Sequence, residues 1–239
     1  SASIPIWEER EPRRYQIFNQ DGSLSCVANA AAKVLGMDEI YEGREWVDLS
    51  RRDIYIRRAN KPAGGMALVD VLTIAKNHGA TLESLVPSEM KNETQMNDGT
   101  GMTNETDKIA EKYKTNGYVI LPIDFETVAS ITSQGKGVIL FFHFHRKDWT
   151  DFPDESTQTG AEVYHGVACV DNILIHGDKY LVIDDSWGLS QAKEGQRFID
   201  KEFFDTHCYG AGYTINLIYS PEPVIEKNNF KTLMRLGVR

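Results

Sequence analysis

Cysteine and long apolar runs are the features this sequence has least of. It contains three cysteines in 239 residues, Cys26, Cys169 and Cys208, and three thiols cannot all pair in disulfides. No apolar run approaches the ~20 residues of a membrane helix, and the first residues show neither the basic nor the apolar region of a secretory signal. These absences favour a cytoplasmic protein without membrane insertion, although a secreted protein that lacks disulfides also fits.

Positive charge is scarce as well. The 26 lysines and arginines are outnumbered by 35 acidic residues, which gives a net charge of −9. Such a surface repels the phosphate backbone of nucleic acids, so we expect no nucleic-acid partner. One local exception is a basic cluster with a helical period, which is predicted to be a solvated helix face. Its members are Arg51, Arg52, Arg57 and Arg58.

The remaining composition is that of a globular protein with a substantial core. Hydrophobic residues make up 41% of the chain and charged residues 26%, which are ordinary proportions. The length allows either one large domain or two lobes that share a cleft. Helical patterns dominate the first half and strand patterns the second. We therefore predict an α+β fold with a mainly helical lobe, 1–115, and a mainly β lobe, 116–239.

Capping residues and apolar periodicity predict the individual elements. Ser50 and Asp53 have the spacing of a helix N-terminal cap, and Gly79 is suited to a helix end. The predicted helices are 26–35 (ended by Gly36), 51–60, 66–78, 106–114 and 124–133. The predicted strands are 118–121, 138–145, 165–171, 179–184 and 213–219. The polar segment 88–104 is predicted to be an exposed loop.

The stretch 20–26, QDGSLSC, carries the first chemical signal. Cys26 directly precedes an Ala-rich helical run, so its thiol lies where unpaired N–H groups and the helix dipole favour the thiolate. The amide of Gln20 could donate a hydrogen bond to an oxyanion that forms beside the sulfur. A buried structural cysteine at the start of an ordinary helix is the other interpretation of this stretch.

A nucleophilic cysteine needs a base, and the base needs an orienting partner. His165 begins an apolar strand, and Asp185 directly follows the strand 179–184. If these two strands form a hairpin, Asp185 lies near His165 and accepts a hydrogen bond from one ring nitrogen. The other nitrogen then faces Cys26.

A metal site is the competing use of histidine in this half. His143 and His145 alternate on one strand face and could ligate a metal. No third ligand has a defined spacing from them, and a closed zinc site has four ligands. We therefore expect neither a metal nor a cofactor.

Taken in order, Gln20, Cys26, His165 and Asp185 with the following S-W-G motif resemble the papain-like cysteine peptidases. His165 lies about 140 residues after Cys26, within the roughly 130–150 residues typical of that family. The resemblance extends over roughly residues 4–220. It implies a papain-like fold, with a helical lobe, a β-barrel-like antiparallel lobe and an active-site cleft between them.

The resemblance also implies roles for residues that bind substrate. Gly64 and Gly65 correspond to the glycine pair whose backbone binds the substrate strand. Met66 would lie near the pocket for the second residue before the cut. Trp187 would shield the hydrogen bond between the histidine and the aspartate from water, and Tyr164 would narrow the cleft.

The sequence departs from the family at three positions of the site. Ser23 replaces the disulfide cysteine before the nucleophile, and Val27 replaces the tryptophan after it. Asp185 replaces the asparagine of the triad, a feature that also resembles the bacteriocin-processing peptidases. Because an aspartate is charged, we expect it to stabilise the imidazolium further and to alter the pH profile.

The expected activity is that of a cysteine endopeptidase acting on a peptide or protein substrate. Cys26 would be the nucleophile, His165 the acid and base, Asp185 its orienting partner and Gln20 the oxyanion donor. The alternatives are a papain-fold acyl transferase, deamidase or amidase, a leader-peptide-processing peptidase, and a binding module without activity. An inhibitory propeptide or a separate inhibitor is a further expected partner, and no propeptide is recognised in this sequence.

Overall fold

The computed structural model describes residues 4–154 and 158–216. Its helices are α1 (Cys26–Tyr41), α2 (Arg51–Ile56), α3 (Leu68–Asn77), α4 (Glu93–Met96), α5 (Asn104–Ala110), α6 (Phe125–Ser133) and α7 (Lys201–His207), and a 3₁₀ turn (Glu111–Tyr113) follows α5. Its strands are β1 (Gly117–Ile120), β2 (Val138–His145), β3 (Glu162–Ile175), β4 (Asp178–Asp184), β5 (Gln196–Ile199) and β6 (Cys208–Ile215). Positions 217–219 of the last predicted strand lie outside the described residues.

The strands form one antiparallel sheet in the order β1-β6-β2-β3-β4-β5. Together with the helices this confirms the predicted α+β class. Within the described residues the sheet is open, with β1 and β5 as its outer strands, so it does not close into a barrel. No described helix has the length and hydropathy needed to span a bilayer. The division of the chain at residue 115 stays a prediction.

Helix α1 is buried along most of its length between the sheet and the other helices. Its alanines let it lie close to β3, where a Cβ on Gly166 would come within 2.7 Å of the Val27 side chain. The predicted stop at Gly36 is wrong, because the helix continues to Tyr41. Gly36 instead accommodates the ring of Trp46, which would be 2.7 Å from a Cβ at that position.

Two hydrophobic clusters hold the layers together. One includes α1, α3 and residues of the sheet, and the other includes α6, α7 and residues of the same sheet. The sequence did not predict β5, which is short and follows the loop after β4, or α7, which begins two residues after the end of β5. Other elements were predicted with small errors: β2 has the predicted bounds, α2 ends four residues before the predicted end, and β3 is longer at both ends.

The prediction of a solvated basic face on α2 is wrong. Arg51 and Arg58 are 1% exposed and Arg52 is 7% exposed. Their guanidinium groups have polar partners: Arg51 binds the carboxylates of Asp48 and Glu89, at 2.6 and 2.5 Å. Burial of a charge is tolerated when it is paired and hydrogen-bonded in this way.

The segment 88–104 supplies part of this cover and is therefore more than an exposed loop. It contains α4, which begins with a capping box at Asn92, and Met96 is buried in the core. Asn97 accepts a hydrogen bond from Arg58 at 2.8 Å, and the carbonyl of Thr100 accepts one from Arg52 at 2.9 Å.

A buried ion pair ties α1 to the end of β4. Lys33 Nζ lies 2.8 Å from Asp184 Oδ2, with the two side chains 3% and 1% exposed. The lysine also donates to the carbonyl of Gln16, and Gln196 donates to the other oxygen of Asp184 at 2.8 Å. These contacts fix the helix of Cys26 relative to the strand that leads into Asp185.

We expect Lys33→Met to lower the free energy of unfolding by about 3–5 kcal/mol, because it leaves Asp184 buried without its cation. Lys33→Met with Asp184→Asn should recover part of that loss. The control is Lys201→Met, which removes a pair with Asp205 whose side chains are 60% and 49% exposed and should cost less than about 1 kcal/mol. Urea unfolding measures all three. A similar small loss for Lys33→Met and Lys201→Met would contradict the assigned role.

Candidate active site

Cys26 is the first residue of α1 and is half-buried. The side chain of Ser25, the residue before it, does not cap the helix but bonds to Ser23 Oγ at 2.7 Å and Asn29 Nδ2 at 3.0 Å. Burial opposes ionisation of the thiol, and the backbone N–H groups of Val27 and Gly166 help to lower its pKa. The helix N-terminus therefore points its free donors at the thiol.

His165 and Asp185 are brought together by the β3–β4 hairpin, as the sequence predicts. Ala168 pairs with Asp184 across the two strands, and a bulge follows in β3. His165 Nε2 lies 2.8 Å from Asp185 Oδ1, with the side chains 2% and 0% exposed. The other ring nitrogen is then available for Cys26, and the two side chains lie close enough to shift each other's pKa.

Two further residues hold Asp185, and the sequence analysis missed both. Trp149 Nε1 donates to Asp185 Oδ2 at 2.9 Å, and Arg197 Nε donates to the same oxygen at 2.7 Å. Arg197 lies on β5 and its side chain is 3% exposed. The one available signal was that a buried aspartate requires a cation partner, but nothing in the sequence says which arginine supplies it.

These contacts decide the charge states of the site. Burial opposes the thiolate, but the hydrogen bond and charge of His165 outweigh it and lower the pKa of Cys26 below the usual thiol value. Burial also opposes the imidazolium, yet the charge of Asp185 and its hydrogen bond raise the pKa of His165 to about 9. At Asp185, His165 and Arg197 overcome burial and lower the pKa to about 2. The shifts of Cys26 and His165 therefore both favour the thiolate–imidazolium pair over the neutral thiol and imidazole.

Gln20 is buried beside this group and is fixed at both ends of its amide. Its Nε2 donates to the carbonyl of Ser23 at 2.8 Å, and its Oε1 accepts from Ser186 Oγ at 2.6 Å. The backbone N–H of Gln20 donates to the carbonyl of Ser186 at 2.8 Å. The second proton of the amide, together with the N–H of Cys26, can therefore donate to an oxyanion beside the sulfur.

A cleft of about 670 Å³ opens at Cys26. Its lining includes seven of the nine predicted site residues: Gln20, Cys26, Gly64, Gly65, Tyr164, His165 and Trp187. Asp185 lies behind the histidine. Met66 is not part of the lining, because its side chain is 7% exposed and belongs to the core beside α1.

Aromatic rings and one leucine shape the cleft walls. The Trp187 ring lies against His165, with centroids 4.9 Å apart. Tyr164 is 66% exposed and stacks on His143 at 4.3 Å. Leu24, which the sequence analysis did not single out, covers Gly64 so closely that a Cβ there would come within 2.2 Å of the leucine.

One group of side chains elsewhere has the spacing of metal ligands. Within the described residues, these are Asp53, His78 and Asp107. Arg57 pairs with both carboxylates, at 3.0 and 2.6 Å, so a cation already occupies the position between them. Among the residues that the structure describes, His143 and His145 belong to no such group.

Comparisons with known proteins place the fold. A search of protein-family models finds no match, and a search of curated protein sequences finds none. Among solved structures, the chain is similar to xylellain, a cysteine protease from Xylella fastidiosa, with a TM-score of 0.74 and 18% identity over 90% of this chain and 88% of that one. It is also similar to the proform of the ragweed pollen cysteine protease Amb a 11, with a TM-score of 0.67 and 20% identity over 85% of this chain and 62% of that one.

A third similar structure is the cysteine protease CMS1MS2 from Carica candamarcensis in complex with E-64. Its TM-score is 0.62, with 18% identity over 84% of this chain and 93% of that one. These likenesses confirm the papain-like fold that the sequence predicts.

The charge states above predict a selective reaction of Cys26 with iodoacetamide. Its rate should persist at pH values below the usual thiol range and fall only as the thiolate is protonated through its lowered pKa. Burial raises the pKa of Cys208 to about 11 and that of Cys169 well above the usual value, so both should react slowly. Mass spectrometry of peptides after timed labelling from pH 4 to 9 measures this. Equal labelling of the three cysteines, or a Cys26 rate that rises only near pH 9, would contradict the ion pair.

Proposed function

We propose that this chain, which has the papain-like fold, is a cysteine peptidase that hydrolyses peptide bonds through a thioester intermediate. The observation that carries the proposal is the continuous chain of contacts from the Cys26 thiol to His165 and from His165 Nε2 to Asp185, at 2.8 Å, at the wall of an open cleft. A nucleophile, a base and an orienting group in that order are what acyl transfer requires.

The reaction would proceed in two steps. The Cys26 thiolate attacks the substrate carbonyl, and Gln20 and the Cys26 N–H donate hydrogen bonds to the oxygen as it becomes negative. His165 gives its proton to the amine as the C–N bond breaks, which leaves a thioester on Cys26. Neutral His165 then takes a proton from water, whose oxygen attacks the thioester and releases the acid.

The substrate strand would lie along Gly64 and Gly65. Gly65 has φ +75°, a conformation that a side chain would strain. Its N–H already donates to the hydroxyl of Tyr55 at 3.2 Å, so we expect the substrate to pair through the Gly65 carbonyl. Leu24 narrows the neighbouring wall, which favours small residues directly before the cut.

Cys26→Ala should abolish cleavage of fluorogenic peptides, because no other group in the site can form the thioester. Gln20→Ala should lower kcat by about 10²–10³ with a small change in KM, because the lost donor acts on the transition state. His176→Ala, which replaces an exposed turn histidine, is the control for general effects of substitution and should keep full activity.

A peptide library digested at pH 7 and analysed by mass spectrometry gives the measurement. Full activity in Cys26→Ala would refute the mechanism. Products that carry an added amine or glycerol in place of water would instead assign the site to acyl transfer, and conversion of glutamine side chains to glutamate would assign it to deamidation.

A further inference from the structure

Asp185 is an unusual group to find behind the histidine, because it brings a full negative charge into a fully buried position. An unpaired buried carboxylate is costly. It would also hold the proton of His165 tightly, and a histidine that keeps its proton cannot protonate a leaving amine efficiently. Something must therefore offset the charge of Asp185.

Arg197 is placed to do so. The two oxygens of Asp185 are divided, Oδ1 at 2.8 Å from His165 and Oδ2 at 2.7 Å from Arg197 Nε. The guanidinium is held from its other side by the carbonyls of Trp149 and Thr150, at 2.6 and 2.7 Å. A side chain fixed by three oxygens and buried to this degree has one position available to it.

We propose that Arg197 is a positioning residue that partly offsets the charge of Asp185, so that the carboxylate orients His165 with less hold on its proton than an unpaired carboxylate would have. The inference rests on the proposed function. Thiolate, imidazolium, carboxylate and guanidinium then sum to zero net charge, which is the balance that Cys26 and His165 would have beside an asparagine.

Three further charged groups lie on the surrounding elements. Lys33 and Asp184 are paired with each other at 2.8 Å, and the guanidinium of Arg146 lies against the Trp187 ring, 5.4 Å from its centre. The remaining neighbours of His165 are aromatic rings, with centroids 4.9 to 6.4 Å away. Those rings belong to Phe144, Trp149 and Trp187.

The test is the pH dependence of Cys26 alkylation by iodoacetamide, which needs no peptide substrate. At low pH the alkylation rate falls as the thiolate is protonated, and this fall is the acidic limb of the rate–pH profile. Arg197→Met should move this limb upward by about one pH unit or more, because the unbalanced carboxylate disfavours the thiolate. Arg197→Lys keeps the charge and should leave the limb near that of the unaltered protein. An unchanged limb in Arg197→Met would overturn the proposal.

The double variant Asp185→Asn with Arg197→Met supplies the rescue. Removing both charges should return the limb to its original position and give peptide turnover about tenfold above Arg197→Met alone, since coupled neighbours have interaction energies of this order. A double variant no better than either single variant would also overturn the proposal. If Arg197→Met does not fold, the double variant decides on its own. If Arg197→Met shifts the acidic limb of alkylation but the unaltered protein cuts no peptide, the proposed function fails and the role of Arg197 stands.

A second and independent observation lies on the other side of His165. The guanidinium of Arg146 is 5.4 Å from the centre of the Trp187 ring, and Arg146 lines the cleft. Its backbone is anchored just past β2, with its N–H donating to the carbonyl of Ala161 at 2.9 Å. Within the described residues no carboxylate pairs with it, and Asp21 is the only acidic side chain in the cleft lining.

The geometry points to Arg146 as the binding group for a substrate carboxylate. From Cys26, contacts run to His165, then to the Trp187 ring and on to Arg146, whereas Gly64 lies against Leu24, two residues before Cys26. If Gly64 marks the part of the substrate that becomes the thioester, Arg146 faces the part that leaves with the amine. The carboxylate would be an acidic side chain or the C-terminus of that part; this inference also rests on the proposed function.

Four matched peptides distinguish the two sources: Asp or Ala after the cut, each with a free or an amidated C-terminus. The preferred carboxylate should raise kcat/KM, and Arg146→Glu should lower the preference about tenfold, as loss of a charge-assisted contact does. The control is Lys147→Glu, an exposed neighbour outside the lining. An equal preference in Arg146→Glu and the unaltered protein would overturn this inference.

If no peptide is cut, the proposed function fails, but the role of Arg146 can still be decided by binding. Fluorescence polarisation measures binding of the same peptides to Cys26→Ala, with and without Arg146→Glu.

Discussion

The site depends on a close approach between α1 and β3. Gly166 lets the two backbones come so near that its N–H helps to lower the pKa of the Cys26 thiol against the effect of burial, while a Cβ at that position would lie 2.7 Å from Val27. His165, the preceding residue, is thereby placed beside the thiol. The helix supplies the sulfur and the strand supplies the ring, so neither element forms the site without this contact. The position after the nucleophile has a small β-branched side chain, and it packs on the glycine.

Two adjacent aspartates at the end of β4 serve two different ion pairs. Asp184 binds Lys33 of α1, and Asp185 binds His165 and Arg197. Both carboxylates are buried, but the charges that surround them differ. Burial is the dominant influence at Asp184 and raises its pKa despite the lysine, whereas two cations lower the pKa of Asp185 to about 2. The first pair therefore holds the helix in place, and the second keeps a carboxylate ionised next to the histidine.

The sequence predicted the features that depend on local residue patterns and on the pairing of strands adjacent in the chain. Ser50 and Asp53 form the expected cap, with the Asp53 N–H bonded to Ser50 Oγ at 3.1 Å, and the hairpin that joins His165 to Asp185 follows from two apolar runs separated by a turn. What failed depends on contacts distant in sequence. Gly36 lies inside α1 rather than at its end because Trp46 packs on it, and no local sequence pattern predicts that contact.

The same reasoning explains why the arginines were misjudged. A helical period of arginines predicts a solvated face only if no other part of the chain covers it, and here the segment 88–104 and neighbouring carboxylates do. Arg197 is the sharper case. Its strand is four residues long, too short for alternation to identify, and its importance comes only from Asp185, twelve positions earlier.

The charge on Asp185 raises the pKa of His165, as the sequence suggests, but the carboxylate is shared with a second cation, Arg197. An aspartate in place of an asparagine, taken alone, would be expected to bind the imidazolium proton more tightly and to shift the pH dependence accordingly. Arg197 and Trp149 take one of its oxygens, at 2.7 and 2.9 Å, so only the other oxygen is left for His165. A carboxylate with a guanidinium on one side and an imidazole on the other has less net field at the imidazole than a free carboxylate. It follows that the residue identity at position 185 cannot be interpreted without position 197, and that the two are best treated as one group that orients the histidine.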